Sequence, residues 1–283
     1  MSVAKHETLL FTREDQSMFD KYLQQWDLTI DGDPFATRSG NLLPVRQGCV
    51  PAMLKISQAT EEQAGSRLMV WWNGDGAAPV LAHDDKALLM VRAQGLGSLT
   101  QMVKLGRDDD ATRILCTVIS RLHGPRAKPL PALVPLTQWF NALLSGTTGR
   151  GRIFGHCART ASDLLGAPRD VTVLHGDVHH ENVLDFGQSG WLAIDPKGLL
   201  GERGFDYANL LCNPDSKAAL APGTFARRLA LIAEASSIEH RRLLQWVLAW
   251  SGLSAVWMLD DGEDAGSRLE IAKLAASALG IVD

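Results

Sequence analysis

The chain has no long apolar run, no paired cysteines and no excess of basic charge. Its longest uncharged stretch, residues 243–259, is about 17 residues long and includes Gln245, Ser251, Gly252 and Ser254. Roughly 20 apolar residues are needed to span a bilayer, so this stretch is expected to be a buried helix of a soluble protein, with no membrane partner. The four cysteines, Cys49, Cys116, Cys157 and Cys212, lie far apart and form no CxxC pair. That pattern suggests neither a zinc ribbon nor a disulfide scaffold, and it predicts reduced thiols in a cytoplasmic protein. Residues 1–7 carry no apolar signal core. A net charge of -4 and the lack of a base-reading motif argue against nucleic acid as a partner. With 283 residues, 46% of them hydrophobic and 21% charged, the chain is long enough for two lobes and a sizeable core.

What the chain does contain is one dense polar stretch. Residues 171–174, 183–186 and 191–194 are short apolar runs of strand length, and Gly187-Gln188-Ser189-Gly190 between the last two is turn chemistry. Across a four-residue turn, Phe186 is expected opposite Trp191, Val183 opposite Ile194, and Asn182 opposite Asp195. An amide and a carboxylate then meet at the mouth of a hairpin. Asp177 stands five residues before Asn182 on the loop that enters it, so two carboxylates and an amide converge on a small volume. Hard oxygen donors of this kind suit Mg²⁺, which keeps several waters and takes its remaining ligands from phosphates. One Asp can orient and deprotonate a hydroxyl while the Asn and the other Asp hold the metal, which is the equipment of phosphoryl transfer.

The same residues carry a resemblance. His175-Gly176-Asp177, four residues, Asn182, and a hydrophobic hairpin ending in Ile194-Asp195 resemble the catalytic loop and metal-binding segment of the aminoglycoside phosphotransferase family, relatives of the protein kinases. The string from His175 to Asn182, with residues 191–196 and 198–202, is closer still to the streptomycin 6-kinase and hydroxyurea kinase branch. Protein kinases have Arg after the His and Phe-Gly after the metal Asp; here Gly176 and Pro196-Lys197 stand there, as suits a small-molecule kinase. The resemblance implies an α+β, protein-kinase-like two-lobe fold. A small β-rich N-terminal lobe, residues 1–94, would bind nucleotide, and a larger, mainly helical lobe, residues 95–283, would carry catalysis and substrate binding. It implies ATP and Mg²⁺ as cofactors, Asp177 as the base with His175 bracing its loop, and Asn182 and Asp195 on the metal.

Other positions take expected roles from the same resemblance. An amphipathic helix is expected among residues 1–25, from Phe11, Met18, Phe19 and Tyr22, and hairpins over residues 26–56. Lys55 resembles the strand lysine that contacts the nucleotide phosphates, and Glu62, opening a helix over residues 59–72, is its expected partner. No repeated-glycine fingerprint occurs; Ser39 and Gly40 stand where the phosphate-covering loop belongs. Strands are expected at residues 80–82 and 87–91, with backbone groups of Met90, Val91 and Arg92 at the adenine hinge. Helices are expected from residue 100 onward through Leu122-His123, over 136–144, 153–165, 225–233 and 243–259, and over 267–279. Asp206 is the expected brace of the catalytic loop. Asp260, Asp261, Glu263 and Asp264 form an acidic loop where the family places substrate-recognition acids, and carboxylates match the guanidinium groups of streptomycin.

Two readings compete. His175, Asp177, His179 and His180 are a dense set of possible ligands for a metal hydrolase, although the remaining histidines are scattered singly. A catalytically silent kinase-like binding protein would normally lose the phosphate lysine, the base or a metal ligand; Lys55, Asp177, Asn182 and Asp195 are all present. The expected substrate is a small molecule of the streptomycin type, with hydroxyurea or another small metabolite as the alternative.

Overall fold

The computed structural model describes residues 13–146 and 150–281. Helix α1 (Arg13–Gln25) leads into a six-stranded antiparallel sheet. Its strands are β1 (Leu28–Ile30), β2 (Phe35–Thr37), β3 (Gly40–Gln47), β4 (Val50–Ile56), β5 (Val80–His83) and β6 (Ala87–Val91), with α2 (Thr60–Trp72) between β4 and β5. The sheet order is β1-β3-β4-β6-β5, with β2 beside β3. Phe11, expected on the face of the first helix, lies outside the described residues; Phe19 and Tyr22 pack as expected.

Side chains alternate across a strand, and that alternation divides the core. Ala52, Leu54, Ile56, Ala87 and Leu89 pack with Phe19 and Tyr22 of α1. Leu88 and Met90 face the other way, onto Leu68, Met69 and Trp72 of α2, and join the larger core that runs through the helical region.

That region holds α3 (Leu99–Lys104), α4 (Asp108–Leu122), α5 (Leu136–Trp139), α6 (Asn141–Ser145), α7 (Arg152–Gly166), α8 (Gly204–Ala208), α9 (Ser216–Ala219), α10 (Thr224–Ser236), α11 (His240–Asp260) and α12 (Gly266–Ala278). The helix expected over residues 136–144 is two short ones, broken at Phe140, whose ring is buried edge-on against Phe205 and Trp246. α11 is buried from Leu243 to Val256 apart from the half-buried Gln245, so its uncharged run reflects a central packing position. Among the described residues no helix is long and apolar enough to cross a membrane.

Two small sheets bear the site. β8 (Val171–Leu174) pairs antiparallel with β11 (Leu199–Glu202), which pairs parallel with β7 (Val134–Pro135). β9 (Val183–Asp185) and β10 (Trp191–Ala193) form the expected hairpin, but its register differs by one residue. Asp185, not Phe186, lies opposite Trp191, and the Ile194 N–H donates to Asn182 O at 2.9 Å. The cause is the turn: the Phe186 N–H bonds Gly190 O at 2.8 Å around a 3₁₀ turn of three residues, Gly187–Ser189, instead of four. Asp195 therefore sits one residue beyond Asn182's partner, at φ 63°. The Ala193 N–H donates to Gly76 O at 2.9 Å, tying this hairpin to the segment after α2.

Candidate active site

Strand alternation aims the first component. Because Leu54 and Ile56 face α1, Lys55 between them points toward α2. Its ammonium meets Glu62 Oε2 at 2.5 Å and also bonds Asp195 Oδ1. Lys55 and Glu62 are 7% and 6% exposed, so the pair is desolvated and each charge depends on the other. The other Glu62 oxygen takes Lys197 Nζ at 2.7 Å. α2 reaches the Asp195 loop only because residue 65 is glycine: a Cβ there would lie 1.9 Å from Pro196 O. Lys55, Glu62, Gly65, Asp195 and Pro196 line one cleft with Met69, Leu88 and Met90.

The second component is the loop between β8 and β9. The Asn182 amide donates to Asp177 O at 2.9 Å and to Asp177 Oδ2 at 3.3 Å. Asn209 Nδ2 donates to Asp177 Oδ1 at 3.2 Å and to Val178 O at 3.0 Å. Both carboxylate oxygens of Asp177 are thus oriented while the side chain stays 36% exposed, open to an incoming group. His175 is fully buried and stacked on Trp72. Its Nε2 is 2.9 Å from Ile194 O and its Nδ1 accepts the Asp177 N–H at 3.2 Å, which requires the neutral Nε2–H tautomer. Burial lowers its pKa, against the pull of Asp206 and Asp177, and keeps it neutral.

Asp206, also wholly buried, accepts the N–H of His175 at 2.9 Å and of Gly176 at 2.8 Å, and pairs with His123 Nε2 at 2.8 Å. Burial works to raise its pKa, but the His123 bond and the nearby His175 and Gly176 groups hold it below the ordinary carboxylate value. Asp195 is balanced likewise: burial pushes it up, and Lys55, then Lys197 and the Ser39 hydroxyl, bring it below its usual value.

Ser39 thereby reaches the site from the β2–β3 turn. Gly40 closes that turn at φ 144°, where a Cβ would lie 2.5 Å from Ile56 O, so only glycine fits. Arg38, beside them, bonds Glu263 of the loop after α11. The other expected substrate acids are spread out. Asp260 holds Arg150 at 2.6 Å, Asp264 caps the Gly266 N–H at 2.9 Å, and Asp261 is exposed. At the expected hinge, the N–H groups of Val91 and Arg92 are already bonded, to Pro79 O at 2.9 Å and Pro51 O at 3.0 Å, and the Arg92 guanidinium is turned to Asp31. Met90 reaches the cleft with its side chain.

Lys197 and Asn209 are the site residues that sequence reasoning misses. Lys197 stands out in the sequence only as a departure from the protein-kinase Phe-Gly pair, and Asn209 only as part of the string after Asp206. Among the described residues, no group of three or more His, Cys, Asp or Glu side chains is arranged to hold a metal. Both His175 nitrogens are engaged and His180 is buried, so the hydrolase reading has no ligand set. Asn182 and Asp195 instead fit a cation that draws its remaining oxygens from a phosphate-bearing ligand and water.

Residues 25–262 match the family described as aminoglycoside/hydroxyurea antibiotic resistance kinase. The chain is 50% identical over 245 residues to the streptomycin 3''-kinase of Klebsiella pneumoniae, covering 85% of this chain and 92% of that protein. It is 29% identical over 274 residues to the streptomycin 6-kinase of Streptomyces griseus, covering 90% and 87%. The fold superposes on a choline/ethanolamine kinase family protein from Mesorhizobium loti with a TM-score of 0.68 at 15% identity, over 96% of this chain and 97% of that one. The chain is therefore a small-molecule phosphotransferase, and it belongs to the aminoglycoside/hydroxyurea antibiotic resistance kinase family.

Proposed function

We propose that this chain transfers the γ-phosphoryl group of ATP to a hydroxyl of a streptomycin-type aminoglycoside, as a cytoplasmic resistance enzyme. The observation that carries this reading is the convergence of Lys55, from the sheet, with Asp195, from the metal hairpin, beside the oriented Asp177 carboxylate. The greater identity to the 3''-kinase, 50% against 29% for the 6-kinase, favours the 3'' hydroxyl over the 6 hydroxyl.

In this reading residues 1–94 bind nucleotide and residues 95–283 carry catalysis. Asn182 and Asp195 would hold Mg²⁺, which supplies charge neutralisation between the nucleotide phosphates. Lys55, fixed by Glu62, adds positive charge there, and Ser39 and Gly40 cover the same end of the cleft. At the hinge, Met90 lines the adenine side; with the Val91 and Arg92 amides occupied, the donor role passes to Ala93. Asp177, aimed by Asn182 and Asn209, takes the hydroxyl proton at a carboxylate oxygen, and neutral His175 with anionic Asp206 hold its loop in place. Most of the acceleration comes from positioning and preorganised charge.

Substrate recognition falls to Asp260, Asp261, Glu263 and Asp264. Two of them, Asp260 and Glu263, already hold the protein's own guanidinium groups, from Arg150 and Arg38. A carboxylate that seats one guanidinium has the geometry to seat another, and streptomycin carries two.

The test is ADP release by the purified protein with ATP and Mg²⁺ across streptomycin, kanamycin, hygromycin B, hydroxyurea and choline, with the product's phosphorylated carbon assigned by NMR. Turnover with streptomycin and phosphate on the 3'' oxygen is the expected result. Turnover with hydroxyurea or choline alone would move the substrate while keeping the chemistry. An absence of nucleotide binding would sink the kinase reading.

A further inference from the structure

Glu62 divides its carboxylate between two ammonium groups, Lys55 on Oε2 at 2.5 Å and Lys197 on Oε1 at 2.7 Å. One lysine is enough to hold a helix carboxylate against a sheet. A second, with its side chain only 17% exposed, carries a desolvation cost that a purely structural role does not require. Lys197 is also built into the catalytic loop. Its backbone N–H donates to His175 O at 2.6 Å. Its stem crowds the residue before the base, where a Cβ on Gly176 would lie 3.0 Å from Lys197 Cβ. Its ammonium rests on the Glu62 carboxylate, whose other oxygen holds the Lys55 ammonium that also bonds Asp195.

The loop from His175 to Asn182 contains no lysine or arginine. Phosphoryl transfer spreads negative charge over the equatorial oxygens of the migrating group, beside the base that accepts the proton, and cations must meet that charge. We propose that Lys197 is a second phosphate-contacting cation, serving the γ-phosphoryl group while Lys55 serves the inner phosphates. This rests on the kinase reading above. Glu62 then acts as a common rest for both lysines, and Lys197 stays protonated throughout, so no proton passes through it.

The experiment is titration calorimetry of the full chain with MgADP and with the magnesium complex of the β,γ-imido analogue of ATP, beside turnover with streptomycin. Lys197→Met is expected to bind MgADP within about threefold of the unaltered chain, to bind the imido analogue at least ~10-fold more weakly, and to lose ~100-fold or more in kcat, the scale set by removing one preorganised charge-stabilising donor. Lys55→Met is expected to weaken both nucleotides. Lys197→Arg keeps the charge and should restore most of the imido-analogue affinity, and Lys197→Gln is the second neutral variant should methionine disturb folding. Equal affinities for both nucleotides and turnover within threefold would overturn the proposal, as would equal weakening of both, which would make Lys197 a support for Glu62 alone. Binding of neither nucleotide by the unaltered chain would overturn the kinase reading itself, and the proposal with it.

Discussion

Asn209 donates its amide to Asp177 Oδ1 at 3.2 Å from 32 residues downstream, and its second bond, to Val178 O at 3.0 Å, locks the donor in place. The Asp177 carboxylate is therefore aimed from outside its own loop. Asn209→Ala should lower kcat by ~10- to 100-fold, because a base misplaced by a fraction of an ångström loses much of its advantage. Nucleotide affinity should stay unchanged, and steady-state kinetics beside calorimetry checks both.

Asp177→Asn keeps the shape and the hydrogen-bonding reach of the side chain but cannot take a proton. A fall in kcat of ~10²- to 10⁴-fold is expected, the usual worth of a general base. Calorimetry should still register MgATP binding; retention of most of the turnover would assign the base elsewhere.

Glu263 lies where the β2–β3 turn and the acidic loop meet, through Arg38. Glu263→Gln should raise KM for streptomycin by ~10-fold, the scale of one charge-assisted hydrogen bond, and leave KM for ATP alone. A matched rise in both would place Glu263 in lobe closure instead of substrate recognition.

Arg228, 1% exposed, is held by Asp108 through Nε at 3.0 Å and Nη2 at 2.6 Å, joining α10 to α4. Asp108→Ala strands a buried guanidinium, and the expected loss is about 3–5 kcal/mol in chemical denaturation. The double variant Asp108→Leu with Arg228→Met should recover most of it, because neither charge is then left unpaired.

His180 is buried, neither ring nitrogen has a hydrogen-bond partner among the described residues, and burial, then Arg228 and His179, push its pKa down to about 3. In the unfolded chain it titrates near 6.5. Between those values the unfolded state binds a proton that the folded state refuses, so stability falls as pH drops, by up to about 1.4 kcal/mol per unit from this group. The loss begins near pH 6.5, before the carboxylates of Asp206 and Glu202 become protonated, since both are held below their ordinary values. Denaturant titrations at pH 7 and 5 should show it, and His180→Met should flatten the slope.

Local chemistry explains what was legible. Lys55 at the end of an apolar run, Glu62 opening a helix, and the Asp177, Asn182 and Asp195 set each follow from spacing or family pattern; the structure joins Lys55 to Glu62 and Asp195, and Asn182 to Asp177. The hairpin register differs by one residue because Phe186 bonds Gly190 and leaves a turn of three residues, a closure that composition does not encode. That the Val91 and Arg92 N–H groups are engaged is not legible in the sequence, because it depends on their bonds to Pro79 and Pro51 of neighbouring segments.

The sequence by itself determined the chemistry available: Asp177, Asn182 and Asp195 in order around a hairpin, and a lysine, Lys55, at the end of an apolar run. Only the tertiary structure decided that Lys197 shares Glu62 with Lys55, that Asn209 aims Asp177, and that Arg38 pairs with Glu263. These are contacts between residues 32 to 225 positions apart. They arise where α2 packs onto the Asp195 loop and the β2–β3 turn closes over it, and short-range periodicity carries no record of which distant surfaces meet.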